Sequence, residues 1–469
     1  MSAAMSNGLA DPKPRSRQVL AIVCVGIVLA NLDLFIVNVG LPSIAHDMND
    51  ASLEDLSWVL NAYAIAYAAL LVFCGRLAER YRRDRSFVVG VVVFTLASAA
   101  CAAAGSVPML VACRVVQAAG AALMTPTSIG LILATFPPER RGGAVRAWAA
   151  IGGLAAALGP VVGGVLIMAS WRWIFLVNLP IGAAAALIGW WKLPAVPGHD
   201  APRPAMLAAA LITIGVGALT LAIVKGHDWG WVSAAIGGLL VAAAACLALF
   251  VRDCLRSPNP FIAPELFVNR AFTGAVLTIA PYSVGFGAML FSIAIWEQSV
   301  WGWSPLQTGL AIAPGPLLVP ATSFLVAGRL IARFGAAPVV VAGTVSFAAG
   351  LVLWAGLIGA TPAIGLVLAG MALTGIGFGL TFPTLMGVGT SALPSSSFAT
   401  GSGVINMVRQ AGLAIGVAMF VAVIAGPMAS GSREATIAAF HWGWWIMAAI
   451  TALSVVPTLW LIRPRRAKS

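Results

Sequence analysis

The sequence predicts an all-α membrane protein of two six-helix bundles joined through an inserted helix pair, fourteen spans in all. Three observations lead there. Of 469 residues, 60% are hydrophobic and 9% charged, against roughly 25% charged in soluble domains, and the mean hydropathy is +0.97. The apolar residues gather into fourteen runs, mostly near the ~20 residues that a helix needs to cross a hydrocarbon core. The basic residues between those runs fall on one side. A spanning barrel would need alternating segments of about ten residues, and the sequence has none; helices satisfy their own backbone hydrogen bonds in lipid.

Taken in order, the first half holds spans at 19–41, 56–78, 87–104, 109–136, 147–168 and 174–191. A polar, basic stretch with Lys13, Arg15 and Arg17 precedes the first; without a cleavage pattern it reads as the approach to a retained span. Spans at 206–224 and 232–251 flank a short loop at 225–231. The second half runs 272–296, 306–332, 339–358, 364–385, 400–424 and 437–461. A weak internal repeat links the halves: GRLAERYRRDRSFVVG at 75–90 returns as GRLIARFGAAPVVVAG at 328–343. Spans 1–6 then match spans 9–14, and spans 7 and 8 are an insertion. The expected division is 1–192 for the amino-terminal bundle, 193–256 for the linker and inserted pair, and 257–469 for the carboxy-terminal bundle. Two related bundles around a midplane site make the architecture of alternating-access transporters.

With the amino terminus inside, 22 of the 27 Lys and Arg residues lie in or at the edges of intracellular segments. Arg172, Lys225 and Arg433 lie outside, and Arg114 and Arg409 within spans. This is the positive-inside pattern, and an odd span count would break it. The net charge of +12 is therefore topological, which sets nucleic-acid binding aside. Both termini are expected in the cytoplasm and the chain in the cytoplasmic membrane, with the lipid bilayer its main partner. The six cysteines (Cys24, Cys74, Cys101, Cys113, Cys246, Cys254) form no CxxC pair and the four histidines no cluster, so no metal site is expected. No lysine follows a glycine, so the GxxxxGK[ST] phosphate loop is absent. No cofactor is expected, and an ATP-driven pump would need a partner to supply the ATPase.

One carboxylate interrupts the first span: Asp33, in ANLDLFIVNVGLP. At 1.5 Å per residue it lies ~9 Å below the outer surface of a ~30 Å core. A charge there costs ~2.5–3.5 kcal/mol on insertion scales, so it must face protein or water. Arg114 in span 4 comes to the same depth, ~9 Å, with Gln117 one turn on. An Asp paired with Arg gives up its proton more easily, and separation reverses this. A static structural pair and a proton site both fit these residues. Asn38, Asn61, Tyr63 and Tyr67 offer amide and aromatic surface on spans 1 and 2, though aromatics at span ends also serve as interface anchors.

In the second half, Ser402, Asn406 and Arg409 share a face of span 13, with Arg409 ~14 Å deep. A cation there calls for a partner or a wet cavity. Glu297 ends span 9, where it is expected near the outer mouth, either solvated or touching substrate. Gly159, Pro160, Gly163 and Gly164, in GPVVGG, put small residues and a helix-bending proline on span 5, which suits a close helix contact.

These motifs carry a family resemblance. Gly75–Arg85 resembles the loop signature GxLaDRxGRR of the major facilitator superfamily, with Gly75, Arg80 and Arg83 in place, Glu79 standing for the usual Asp and Arg82 for the usual Gly. Arg114-Val-Val-Gln117 resembles its RxxQ motif, and GPVVGG is similar to the GPxxGG motif of its antiporters. LDLFIVNVGLP and WRWIFLVNLPIG look like signatures of its fourteen-span drug/proton antiporters, and the resemblance covers essentially the whole chain. It implies the major facilitator fold and a proton-coupled exporter of small hydrophobic or cationic compounds that functions as a monomer. Asp33, Arg114 and Gln117 would couple protons, and Gly75, Glu79, Arg80 and Arg83 would gate the intracellular side. Asn38, Asn61, Tyr63, Tyr67, Glu297, Asn406 and Arg409 would line the substrate cavity. An importer on the same fold, an exporter dedicated to one self-made metabolite and a membrane-embedded enzyme are the rival readings; the last would need a catalytic set or an appended domain, for which no loop is long enough.

Overall fold

The computed structural model describes residues 14–48, 51–198, 206–258, 260–393 and 398–462. Lys13 and the linker at 199–205 lie outside them, as does the side chain of Glu79. The long helices are α1 Pro14–Asp47, α2 Leu53–Arg80, α3 Arg83–Ala102, α4 Val107–Thr135 and α5 Pro138–Ile167. They continue with α6 Trp173–Lys192, α7 Met206–Trp229, α8 Ala234–Arg256, α9 Arg270–Ser299 and α10 Pro305–Phe334. The last are α11 Ala336–Leu357, α12 Ile364–Ser391, α13 Phe398–Ala429 and α14 Arg433–Leu461. Among the described residues, thirteen helices are long and apolar enough to cross a membrane. The remaining expected span is α5, whose described apolar part is Ile151–Ile167. The chain is a multi-pass membrane protein.

Local chemistry sets the helix ends. Ser52, Ser106 and Ser432 each accept the amide of the third residue on, starting α2, α4 and α14. Ser304 and Gln307 form a capping box at the head of α10. Gly335, at φ 85°, makes the one-residue corner into α11 that a side chain would strain. Within α10, Pro320 removes a backbone donor, and a π-helical turn follows at Thr322–Ala327.

Helix pairings inside the two halves run in parallel. In the first, α1 packs on α5 and α6, α3 on α4 and α6, and α2 on α4. In the second, α9 packs on α13 and α14, α11 on α12 and α14, and α10 on α12. Each pair in the second list is a pair in the first with eight added. The halves meet along two seams, α2 with α13 and α5 with α10. Helix α7 lies against both α2 and α13, while α8 packs chiefly on α7.

At the end that the charge map assigns to the outside, the halves are in contact. Gln298 Nε2 donates to the Val39 carbonyl at 3.1 Å, and Gly309 abuts the carbonyl of Pro160. Toward the other end a cavity of about 160 Å³ lies between α2, α4 and α13, with Thr125, Gly75, Ser402 and Asn406 in its wall.

Candidate functional site

Asp33 sits on α1 with no solvent exposure, as do Arg114 and Gln117 of α4. Arg114 Nη1 donates to Asp33 Oδ2 in a buried ion pair and to Gln117 Oε1 at 2.7 Å. Gln117 Nε2 donates to Asp33 Oδ1 at 2.8 Å and to Ser98 Oγ, also at 2.8 Å. Arg114 Nε donates to the Val59 carbonyl at 3.2 Å, and its guanidinium lies 4.1 Å from the centre of the Tyr63 ring. Equal depth in the bilayer brought Asp33 and Arg114 together on paper, and the fold brings them together in space.

Two members of the network were not expected. Asn178, at the head of the longer part of α6, directs its amide at Asp33 Oδ1 and Ser98 Oγ, each at 3.4 Å. Both Asn178 and Ser98 are sealed from solvent. The signal was present, since Asn178 is the one amide in WRWIFLVNLPIG and Ser98 a polar residue inside span 3. The Asp33 carboxylate thus accepts from Arg114, Gln117 and Asn178, all donors. Protonation would turn one of its oxygens into a donor; of the neighbouring side-chain acceptors, Gln117 Oε1 already serves Arg114 and Asn178 Oδ1 is buried and unbonded.

The expected cavity residues fall in three places. Asn38 and Asn61 line a narrow void of about 20 Å³ between the halves, against Gly287, Leu413 and Val417. Asn38 is bonded to the Leu34 carbonyl at 2.9 Å, while both polar atoms of Asn61 are buried and unbonded. Tyr63 and Tyr67 stack at 6.0 Å with rings 5° apart, and the Tyr67 hydroxyl bonds Thr125 Oγ1 at 2.9 Å. Asn406 lines the 160 Å³ cavity, and Arg409 Nε donates to Asn406 Oδ1 at 3.4 Å.

Glu297 corrects the sequence reading. It is not solvated at a mouth but has 0% exposure, beside Thr308 and with neither carboxylate oxygen in a well-formed hydrogen bond. The cause is the turn after α9, where the Trp303 amide returns to the Glu297 carbonyl at 3.0 Å and folds the chain over the helix end.

The glycine motif faces two ways. A Cβ on Gly159 would come within 2.7 Å of Phe35, and one on Gly163 within 2.8 Å of Ile36, both on α1. On Gly164 it would strike Leu306 Cα of α10 at 2.6 Å. The motif therefore packs α5 inside its own half and also permits the contact between halves.

In the loop at 75–85, the gripping carboxylate is Asp84, which sequence reasoning passed over. Buried at 4% exposure, it holds Arg82 at 2.7 Å and accepts the Val196 amide at 3.2 Å. Arg83 reaches the Gly130 carbonyl of α4 at 3.5 Å, Gly75 lines the cavity, and Arg80 lies half-buried at the end of α2. Arg76 Nη2 crosses to the Pro260 carbonyl, tying this loop to the segment before α9.

Comparison with known proteins identifies the family. The Major Facilitator Superfamily model matches residues 23–417. The chain is 33% identical over 413 residues to the multidrug resistance protein Stp of Mycobacterium tuberculosis, covering 87% of this chain and 76% of that one. It is 31% identical over 416 residues to the tetracenomycin C resistance and export protein of Streptomyces glaucescens, at 88% and 76% coverage. Among solved structures, a bacterial homologue of the human lysosomal transporter Spinster, inward-facing and unoccupied, superposes with a TM-score of 0.69 at 17% identity, covering 97% of this chain and 100% of that one. A D-xylose–proton symporter gives 0.68 at 15% identity, covering 96% and 98%. The last two speak to the fold alone.

Proposed function

The chain belongs to the major facilitator superfamily, and from that premise we propose that it is a proton-coupled antiporter that exports small, mostly apolar organic molecules across the cytoplasmic membrane. Relatives named for multidrug resistance and for antibiotic resistance and export support the direction and the substrate type. The observation that carries the proton half is the Asp33 site, a carboxylate at 0% exposure saturated by donors and paired with a buried arginine.

The cycle follows from that saturation. With the outer end closed, Asp33 is ionised and bound to Arg114. When the outer end opens and wets the site, a proton reaches Asp33, and the neutral acid no longer accepts from every side, so Arg114 is released. The protonated protein returns to the closed-outside state, and proton loss to the cytoplasm then re-forms the network. Substrate moves outward on the alternate stroke, and each charge carried down 100 mV supplies ~2.3 kcal/mol. The protein works as a monomer with both termini in the cytoplasm. Lipid-soluble dyes loaded into inside-out vesicles give the test: an imposed acid interior should drive uptake, and a collapsed gradient should stop it. Uptake indifferent to the gradient would remove the antiport reading, and uptake only in right-side-out vesicles would make the protein an importer.

A further inference from the structure

The clearest charge left uncompensated at the seam is Arg409. Among the described residues every other carboxylate-bound cation has its partner: Arg114 with Asp33, Arg172 with Asp47, Lys225 with Glu54 and Asp228, Arg82 and Arg85 with Asp84. Arg409 is in no ion pair among these residues and spends only Nε on a neutral acceptor, Asn406 Oδ1. Half-buried on α13, it faces Tyr67 of α2 in the other half, one turn deeper than the cavity wall at Asn406. A guanidinium held away from bulk water without a counter-charge is costly, and its two remaining nitrogens form a flat fork suited to a carboxylate or sulfonate.

The surroundings specify the rest of the ligand. The Arg409 guanidinium lies 5.1 Å from the centre of the Phe382 ring. Phe382 stacks on Phe378 at 5.3 Å, and Phe378 on Phe286 at 4.3 Å, with ring planes 24° and 25° apart. Across the seam stands the parallel Tyr63–Tyr67 pair. Aromatic rings contributed by both halves around the guanidinium favour a flat ring system, and the charge beside them is positive. We propose that Arg409 is the anion-recognition residue of the substrate site, and that the preferred substrates are planar aromatic anions carrying a carboxylate, sulfonate or phenolate. Cationic compounds meet the wrong charge there. This inference rests on the export reading for its transport arm only.

Two probes isolate the charge. 8-Anilinonaphthalene-1-sulfonate and N-phenyl-1-naphthylamine share one ring system and differ by the sulfonate. In inside-out vesicles with a proton gradient, the wild type should take up the sulfonate at a KM about tenfold or more below that of the neutral amine, the effect of one charge-assisted contact. Arg409→Gln should abolish that preference by raising the KM for the sulfonate about tenfold or more relative to that for the neutral amine, with folding checked by the variant's elution as a single species in detergent. Arg409→Lys, with charge but no fork, should restore part of it. Equal loss for both probes would make Arg409 a structural residue and overturn the proposal, as would a wild type that prefers ethidium. If no probe is transported, the export reading fails instead, and calorimetric titration of the sulfonate into protein in lipid nanodiscs still decides the matter. Binding weakened about tenfold or more by Arg409→Gln upholds the anion site, and unchanged or absent binding overturns it.

Discussion

Gln117 bonds the Asp33 oxygen that Arg114 leaves open: its Nε2 lies 2.8 Å from Oδ1, while the guanidinium holds Oδ2. The same side chain accepts from Arg114 through Oε1 at 2.7 Å. One amide therefore closes a ring of three groups, and its orientation is fixed by the charges on both sides.

Asp33→Asn leaves the buried guanidinium without its counter-charge. Breaking a buried pair by removing one partner costs about 3–5 kcal/mol, so the variant should melt lower and lose substrate-induced proton release. The double variant Asp33→Asn/Arg114→Gln should recover much of the stability and none of the proton release. Thermal unfolding and proton flux in proteoliposomes measure the two separately; flux surviving in either variant would remove Asp33 from the proton path.

Gln117→Leu removes the bond to Asp33, the bond to Ser98 and the acceptor for Arg114 together. Each unsatisfied buried group costs about 1–3 kcal/mol. We expect reduced stability and slower transport with an unchanged ratio of protons to substrate, because the carboxylate remains. A changed ratio would show that Gln117 itself carries the proton.

Gly163→Ala and Gly164→Ala differ by one position and should differ in kind. The first presses on Ile36 within the half and should act mainly on stability, in the range of about 1–3 kcal/mol for overpacking. The second presses on Leu306 of the other half and should hold the outer end open. Thiol labelling of a cysteine placed at Val39, in a cysteine-free background, reads that opening: faster labelling in Gly164→Ala than in Gly163→Ala is the expected order.

Glu297→Gln replaces a buried carboxyl group that has no ionic partner among the described residues. Nothing is left unpaired by the change, so thermal stability should hold or rise and proton release should persist. Lost proton release would give Glu297 a part in coupling that its surroundings do not suggest.

A cysteine at Asp228, in the last turn of α7, should be labelled by a membrane-impermeant maleimide from the face opposite the termini. Labelling from the same face as the termini would contradict the assignment of inside and outside.

The spans and the Asp33–Arg114–Gln117 group were legible because bilayer thickness converts sequence position into depth. Two intramembrane charges at one depth have few other ways to be satisfied. Glu297 was not legible, because its burial depends on how Trp301–Ser304 fold back over the end of α9, a matter of tertiary packing. Asp84 escaped notice for a related reason. Beyond its neighbour Arg82, its long-range partner, the Val196 amide, comes from the segment after α6, and a backbone donor leaves no mark in a sequence. The two faces of the glycine motif could be read only once α1 and α10 had positions.

Helix α7 lies across the α2–α13 seam, with an apolar space of about 350 Å³ beneath it walled by Ile65, Val216, Val284 and Ala411 among others. Among the described residues, neither α7 nor α8 makes a comparable contact with the opposite seam, α5 with α10. The bilayer thus meets one flank covered by an added helix and one where the two bundles themselves meet, closely packed at Gly164 and Gly309. The insertion that raises the helix number makes the transporter one-sided toward lipid.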